Sequence, residues 1–176
     1  MMYTWHYLSP VGKLTITGTE SALTGLYFSS QKHIPVVLDD EICECETEIF
    51  IKTKLYLDNY FEGKRPSLLP KIEIHTTPFR HKVYEILSTI DYGKTLTYGD
   101  IAKRLIEKYK LKAMSSQAVG NAVGHNPICI IIPCHRVLGK DGALTGFAGG
   151  LEAKKKLLSL EGIAFKEKTQ SSLRKI

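Results

Sequence analysis

The spacing of apolar residues changes once along the chain, and this change restricts the folds that the chain can adopt. In the first thirty residues apolar and polar side chains alternate, as in YTWHYL and KLTITGTE, which predicts two or three antiparallel strands. Later apolar residues follow helical spacing, as at Phe79, Val83, Ile86, Leu87 and Ile90. The segment GKRPSLLPKIEIHTTP, with three prolines, separates the two patterns. We therefore predict an α/β protein with a strand-rich domain at 1–75, a mainly helical domain at 76–165 and a basic tail at 166–176.

Turn and capping residues indicate where the helices lie. A helix is predicted from Glu46 to Phe61, because a glycine follows it closely. Thr97 is a suitable N-cap for a short helix, and Ser115 or Ser116 can cap the next one, QAVGNAVG. These two helices are similar to a helix-turn-helix unit, whose second helix enters a DNA groove.

Two further helix faces can be predicted. The small residues of QAVGNAVG would let that helix approach a surface closely, although close packing inside a core explains them equally well; they are Ala118, Gly120, Ala122 and Gly124. In the last helix, LEAKKKLLSLEG, we expect Leu151 and Leu158 to face inward and the lysines to face solvent.

Composition and charge indicate which functional classes the chain can belong to. The 176 residues are 43% apolar and carry a formal net charge of +6, which suits a phosphate-bearing partner. There is no apolar run of about eighteen residues and no basic segment followed by an apolar one, so we expect neither a membrane span nor a secretory signal.

The cysteines point to a reducing compartment. Cys43, Cys45, Cys129 and Cys134 do not have the spacing of a disulfide framework, so we expect reduced thiols and a cytoplasmic protein. The first two, even with His33 and His75 elsewhere in the chain, also lack zinc-finger spacing, and we predict no metal site.

The stretch IIIPCHRVLG combines an apolar run, which predicts a buried strand, with the residue types of nucleophilic chemistry. Cysteine attacks as its thiolate, which requires a nearby base or positive charge. His135 could not easily reach Cys134 from a straight strand, but Pro133 favours a bend and a water molecule could bridge the gap. From residue types alone, a reactive Cys134 and a small buried core cysteine remain equally good alternatives.

The surrounding motifs favour the reactive cysteine. PCHRV, preceded by GNAVGHNP and followed by GALTGFAGGLEAKKKLLSLEG, closely resembles the O6-alkylguanine-DNA alkyltransferases, also called methylated-DNA–protein-cysteine methyltransferases. The resemblance runs from about Phe79 to Gly162 and is weaker in 1–75. It implies an RNase-H-like N-terminal domain and a mainly helical, winged-helix-like C-terminal domain that contains the helix-turn-helix unit.

The resemblance implies a role for each matching catalytic residue. Cys134 is the alkyl acceptor, His135 is a general base that reaches it through a water molecule, and Glu161 orients the imidazole. Asn126 is the hinge residue that fixes the turns around the site. Tyr98 gives a proton to the departing guanine.

The resemblance also implies how the base is recognised. The carbonyls of Cys134 and Val137 accept hydrogen bonds from the guanine amine, and the Ala148 N–H donates to O6. Phe147, where a tyrosine is common in the family, stacks on the base, and Gly149 belongs to the same glycine-rich loop. Arg136 is implied to be structural.

The implied partner is double-stranded DNA that carries O6-alkylguanine. The second helix of the pair enters the minor groove and the damaged nucleotide is flipped out of the stack. The DNA-contacting residues implied are Ser115, Ser116, Gln117, Ala118, Gly120 and Asn121. Gln117 stands where an arginine usually fills the vacated stack, so we expect weaker and less salt-dependent binding.

The function implied is irreversible transfer of the alkyl group from O6-alkylguanine, and also from O4-alkylthymine, to Cys134, once per molecule, by a monomer without a cofactor. Three alternatives fit less well. A non-catalytic lesion-binding relative would lack the acceptor cysteine, a Cys-His hydrolase would leave the helix pair unexplained, and a transcription regulator would leave the Cys-His-Glu set unexplained.

Overall fold

The N-terminal part of the molecule is a four-stranded sheet covered by one helix. The computed structural model describes residues 1–32, 34 and 42–167. Strands β1 (Met2–Ser9), β2 (Gly12–Gly18) and β3 (Leu23–Phe28) form an antiparallel meander, and β4 (Ile42–Glu44) adds to β1 in parallel, so the order is β3-β2-β1-β4. The predicted antiparallel strands are confirmed.

Helix α1 (Glu48–Phe61) covers one face of this sheet. It begins two residues later than predicted because Thr47 is its N-cap, with the side chain accepting a hydrogen bond from the Phe50 N–H. Phe50, Leu57 and Tyr60 are buried in the core. The sheet contributes apolar side chains to the same core, among them Leu14, Ile16 and Leu26.

The C-terminal part is mainly helical, and two of its helices begin at predicted caps. Helices α2 (Pro78–Leu87), α3 (Tyr98–Tyr109), α4 (Ser116–Gly124) and α5 (Leu151–Leu160) surround a short parallel pair, β5 (Leu96–Thr97) and β6 (Val137–Leu138). Thr97 and Asp100 form a capping box at α3, and Ser115 caps α4 by accepting from the Ala118 N–H. The α/β organisation predicted from the sequence is therefore confirmed.

The apolar run before Cys134 is not a strand, and that prediction was wrong. Ile128 forms a single bridge with Leu26 of β3, and the backbone then turns, with Ile130 in the left-handed region at a φ of 68°. The five residues 128–132 are nearly completely buried, so apolar character alone did not distinguish a strand from a buried turn. The bridge ties the edge of the N-terminal sheet to the segment that leads into Cys134.

Helix α5 also differs from its prediction. Leu158 is buried as expected, but Leu151 is 44% exposed and Lys154 is only 1% exposed. The expectation that its lysines all face solvent was therefore wrong at one position. No helix in the described ranges is long and apolar enough to cross a membrane. The predicted tail at 166–176 lies outside the described residues except for its first two.

Candidate active site

Cys134 opens a single turn of 3₁₀ helix, Cys134–Arg136, directly after Pro133. The predicted bend is therefore confirmed. Its side chain reaches the wall of a cavity of about 640 Å³ although the residue is only 5% exposed. The wall is built from α3, α4, the turn before Cys134, the glycine-rich loop and the segment that follows β3. Its residues include Tyr98, Gly120, Asn126, Phe147, Ala148, Gly149, Ser30 and Lys32.

Behind Cys134 lies a buried, hydrogen-bonded histidine–carboxylate pair. His135 Nε2 is 2.7 Å from Glu161 Oε1, and both side chains are inaccessible to solvent. Glu161 directly follows α5, where it also accepts hydrogen bonds from the Gly93 N–H at 3.0 Å and from Arg136 Nε at 2.8 Å. Burial alone would raise the pKa of Glu161, but the hydrogen bonds from His135 and Arg136 outweigh it and lower the pKa to about 2.

Arg136 is a structural residue of this site. Besides its contacts with Glu161, its Nη1 donates to the Ile90 carbonyl at 2.6 Å, and the residue is 8% exposed. The guanidinium is therefore committed to the protein interior, as the sequence resemblance implied.

His135 is neutral at rest. Burial lowers its pKa, and the opposing influence of Glu161 does not fully compensate. With the Nε2 proton donated to Glu161, the lone pair of the neutral ring lies on Nδ1. That nitrogen is buried and makes no hydrogen bond to the described residues. Nδ1 is therefore the atom of this pair that can accept a proton.

The Cys134 sulfur is a protonated thiol at rest rather than a standing thiolate. Burial raises the pKa of Cys134, while a hydrogen bond from Asn126 and the charge of Lys154 lower it only in part. Formation of the nucleophile must therefore be coupled to proton removal by a neighbouring base.

Asn126 holds the turn that carries Cys134. Its Nδ2 donates to the Ile132 carbonyl at 2.8 Å and its Oδ1 accepts from the Ile128 N–H at 3.0 Å. The side chain thus bridges both ends of the buried turn and contacts the thiol as well. This geometry suits the hinge role that the resemblance implied.

A second polar chain joins the site from α5, and sequence reasoning missed its first member. Lys154 Nζ donates to the Val137 carbonyl at 2.7 Å and lies 3.5 Å from Thr145 Oγ1, which in turn lies 3.0 Å from the Tyr98 hydroxyl. Burial lowers the pKa of Lys154 to about 8. The helical spacing could have revealed it, because Lys154 lies four residues before the buried Leu158.

The glycine-rich loop forms the opposite wall. The Phe147 ring packs edge-on against Phe28 of β3, with centroids 5.5 Å apart. A Cβ on Gly149 would approach the Phe28 ring to 2.5 Å, so only glycine fits there. Val137 is completely buried and meets Lys154 through its carbonyl; it is not among the cavity-lining residues.

The predicted DNA-contacting residues lie on α4 or at its N-cap, and one of them, Gly120, lines the cavity. Four of them are exposed: Ser115, Ser116, Gln117 and Asn121. Ala118, on the same helix, is half-buried. Gly120 faces the Tyr98 ring, which a Cβ would meet at 3.6 Å. Ala122, by contrast, is 1% exposed, so core packing explains that small residue.

A thiol at the wall of a cavity beside a helix pair, with a buried histidine–carboxylate pair behind it, is the arrangement expected of a cysteine-dependent group-transfer protein. The comparisons identify the family. The ribonuclease-like domain of 6-O-methylguanine DNA methyltransferase matches residues 2–74, and the DNA binding domain of the same family matches residues 78–163. The chain belongs to the 6-O-methylguanine DNA methyltransferase family.

Similar proteins span almost the whole chain. The methylated-DNA–protein-cysteine methyltransferase of Haemophilus influenzae is 40% identical over 95% of this chain and 90% of its own length. The methyltransferase of the same name from Methanosarcina acetivorans is 40% identical over 92% of this chain and 99% of its own length. The crystal structure of Mycobacterium tuberculosis OGT in complex with DNA superposes with a TM-score of 0.81 at 37% identity, covering 91% of this chain and 93% of that one.

Proposed function

We propose that this protein repairs alkylated DNA by direct reversal, transferring the alkyl group from O6 of guanine, and from O4 of thymine, to the sulfur of Cys134. The observation that carries the proposal is the position of Cys134 in a cavity beside α4, with the His135–Glu161 pair buried behind it. Membership of the family and the curated names of its relatives support the same reaction.

The first step forms the nucleophile. A water molecule between the Cys134 sulfur and His135 Nδ1 carries the thiol proton to the ring, because Nδ1 holds the free lone pair. Glu161, whose low pKa keeps it ionised, stabilises the imidazolium through Nε2. The charge of Lys154 favours the thiolate over the buried thiol.

The second step is an in-line displacement. The sulfur forms a bond to the alkyl carbon as the bond from that carbon to O6 breaks, and the electron pair passes to the guanine. Tyr98 donates a proton to the base, so that guanine leaves as a neutral molecule. Burial raises the pKa of Tyr98, which keeps its hydroxyl protonated until that moment. Exchange with solvent then returns a proton to Tyr98 and removes the extra proton from His135.

The product is a thioether at Cys134, and a thioether is a very poor leaving group. The alkyl group therefore remains on the protein, which acts once per molecule. The lesion supplies the alkyl group, so the transfer needs no cofactor. A reactive thiol of this kind suits the reducing conditions of the cytoplasm.

Backbone groups read the base in this proposal. The carbonyls of Cys134 and Val137 accept from the exocyclic amine, and the Ala148 N–H donates to O6. The Phe147 ring stacks on the flipped base, and Gly149 allows the loop to pack closely on Phe28. Lys154 supports the arrangement by holding the Val137 carbonyl.

The protein binds the duplex as a monomer, with α4 in the minor groove. Ser115, Ser116 and Asn121 contact the backbone and groove, while Ala118 and Gly120 allow close approach. Gln117 fills the stack that the flipped nucleotide leaves. Mycobacterium tuberculosis OGT, which has a similar fold, was crystallised in complex with DNA. This likeness supports the proposal that the present protein binds DNA.

Intact mass measurement after incubation with a duplex containing O6-methylguanine tests the proposal. We expect a single gain of about 14 Da, the mass of one CH₂ unit, mapped to Cys134. Cys134→Ser should bind the duplex without any gain in mass. Cys129→Ser, which changes the other thiol that is buried among the described residues, should gain the same mass as the wild type.

Two results would contradict the proposal. Tight binding without a mass gain would indicate a non-catalytic lesion-binding protein. Repeated turnover with free enzyme at the end would indicate a hydrolase.

A further inference from the structure

The N-terminal part reaches directly into the His135–Glu161 pair through one side chain. Tyr60, in the last turn of α1, donates its hydroxyl to Glu161 Oε1 at 2.8 Å and lies 3.3 Å from His135 Nε2. Its ring meets the imidazole edge-on, with centroids 6.2 Å apart, and the residue is completely buried. The contact joins positions 75 and 101 residues apart in the chain.

Tyr60 is a permanent donor to this carboxylate. Burial, reinforced by the charge of Glu161, raises the pKa of Tyr60 far above its ordinary value, so the hydroxyl stays protonated wherever the protein is folded. A hydroxyl donor this close to a carboxylate makes one of the stronger hydrogen bonds in proteins.

The bond limits how strongly Glu161 can hold His135. Oε1 receives donors from three residues: His135 Nε2 at 2.7 Å, Tyr60 at 2.8 Å and Arg136 Nη2 at 3.0 Å. Each donor draws charge from the same oxygen and so weakens its attraction for an imidazolium. Without Tyr60, Glu161 would stabilise the charged ring more strongly, and His135 would be a base already protonated at a higher pH.

We propose that Tyr60 is a positioning residue for the alkyl transfer: the N-terminal domain supplies its hydroxyl to Glu161 so that His135 is oriented by the carboxylate yet remains neutral and ready to accept the thiol proton. The inference rests on the proposed function. It gives the N-terminal domain a part in the chemistry beyond support of the fold.

Other groups that face His135 also set its protonation, and they stay unchanged when Tyr60 is substituted. Those with charged or titratable side chains are Glu161, Arg136, Lys154 and Cys134, with Tyr56 and Tyr92 close to the Glu161–Arg136 pair. Only Glu161 and Tyr60 contact the Nε2 edge of the ring in the described part of the chain.

The test is the pH dependence of single-turnover alkyl transfer in Tyr60→Phe. We expect the acid limb of the profile to move upward by about 0.5 to 1 pH unit, equivalent to roughly 3- to 10-fold slower transfer below the midpoint. At high pH, where His135 is neutral in both proteins, the rate should equal or exceed that of the wild type. Loss of mere structural support would instead slow transfer equally at every pH.

Tyr56→Phe is the matched control. Tyr56 is buried one turn earlier on α1, its hydroxyl is neutral, and it is not among the hydrogen-bond donors to Glu161 in the described part of the chain. Its loss should leave the midpoint of the acid limb unchanged.

A second variant keeps the inference testable if Tyr60→Phe does not fold. Fluorotyrosine incorporated at Tyr60 is a stronger donor of the same shape, and it should move the acid limb downward. A wild-type protein that transfers methyl groups, with variants that show unchanged midpoints, would overturn the role of Tyr60 alone. A wild type that gains no mass would overturn the proposed function instead.

Discussion

At the scale of single residues, the site depends on two buried charges of opposite sign. Glu161 has five N–H or O–H donors around its two oxygens, so its charge is well compensated. Lys154 has one short hydrogen bond, to the Val137 carbonyl, and no buried carboxylate beside it in the described part of the chain. Its burial therefore costs stability, and its charge lowers the pKa of Cys134, which favours the thiolate that the proposed mechanism requires.

Lys154→Met should remove both the stability cost of the buried charge and the help that this charge gives to thiolate formation at Cys134. The pKa of Lys154 is about 8 in the folded protein, below its ordinary value, so the unfolded chain holds more protons between about pH 8 and 10.4. Wild-type stability therefore rises with pH across that window. The free energy of unfolding, measured with urea, should gain roughly 2 kcal/mol relative to the variant between about pH 7 and 10. Alkyl transfer at pH 7 should fall at least about tenfold.

Lys156→Met, two residues further along α5 and exposed, provides the control. It should follow the wild type in both the pH dependence of stability and the rate. Parallel alkaline curves for the wild type and Lys154→Met would contradict the assigned cost of the buried charge.

At the scale of elements, α3 and α4 combine a rigid frame with an open surface. Their N-termini are fixed by the Thr97 capping box and by Ser115, and Val119 and Ala122 anchor α4 in the core. The Tyr84 hydroxyl donates to the Ala122 carbonyl and adds a tie to α2. Gln117 is thus presented to solvent by a helix that cannot easily move.

Gln117 of α4 stands where the family usually has an arginine, and this difference gives a prediction. In a Cys134→Ser background, which prevents transfer, Gln117→Arg should tighten binding to a lesion-containing duplex by about tenfold. The added positive charge within the DNA should also steepen the dependence of log K on log salt, by up to about 0.9. Fluorescence anisotropy with the lesion duplex and with intact duplex measures both quantities.

Ser116→Arg adds the same charge one position away and serves as the control. It should steepen the salt dependence for both duplexes but should not increase the preference for the lesion. Unchanged or weaker lesion binding by Gln117→Arg would refute the assignment of this position to the vacated stack.

The elements also show which features local sequence can predict. Thr97 could be predicted as a cap, and the cap of α4 could be narrowed to Ser115 or Ser116, because a cap depends on the few residues around it. The run before Cys134 was mistaken for a strand because its shape depends on Asn126 and on one bridge to Leu26, far away in the chain. The Cys134–His135–Glu161 set came from motif resemblance, whereas the part played by Tyr60 depends on a contact across 101 residues that no local pattern encodes.

At the scale of the whole molecule, Glu161 is one of the buried points where the two parts meet. It receives hydrogen bonds from α1 through Tyr60, from the loop after α2 through Gly93, and from the 3₁₀ turn through His135 and Arg136. The bridge between Leu26 and Ile128 is a second connection between the two parts, made by backbone atoms a few residues before Cys134. Because one ionised carboxylate joins several elements, its protonation should loosen the molecule as a unit.

The last prediction concerns acid stability. The folded pKa of Glu161 is about 2, below the ordinary value near 4.5, so its contribution is complete above about pH 5 and is lost as the pH falls toward 2. The wild type should lose roughly 2 kcal/mol more than Glu161→Gln between about pH 6 and 3. Glu107→Gln, an exposed change on α3, should follow the wild type.

Two probes distinguish the parts of the molecule in that experiment. Trp5, the single tryptophan, reports on the N-terminal sheet by fluorescence, and far-ultraviolet circular dichroism reports mainly on the helices, four of which lie in the C-terminal part of the described chain. For the wild type at pH 7, urea unfolding curves measured by tryptophan fluorescence and by circular dichroism should coincide. In Glu161→Gln the shared anchor is weakened at every pH, and the tryptophan transition should separate from the helical one. Coincident transitions in the variant, with acid loss parallel to the wild type, would show that Glu161 does not couple the two parts.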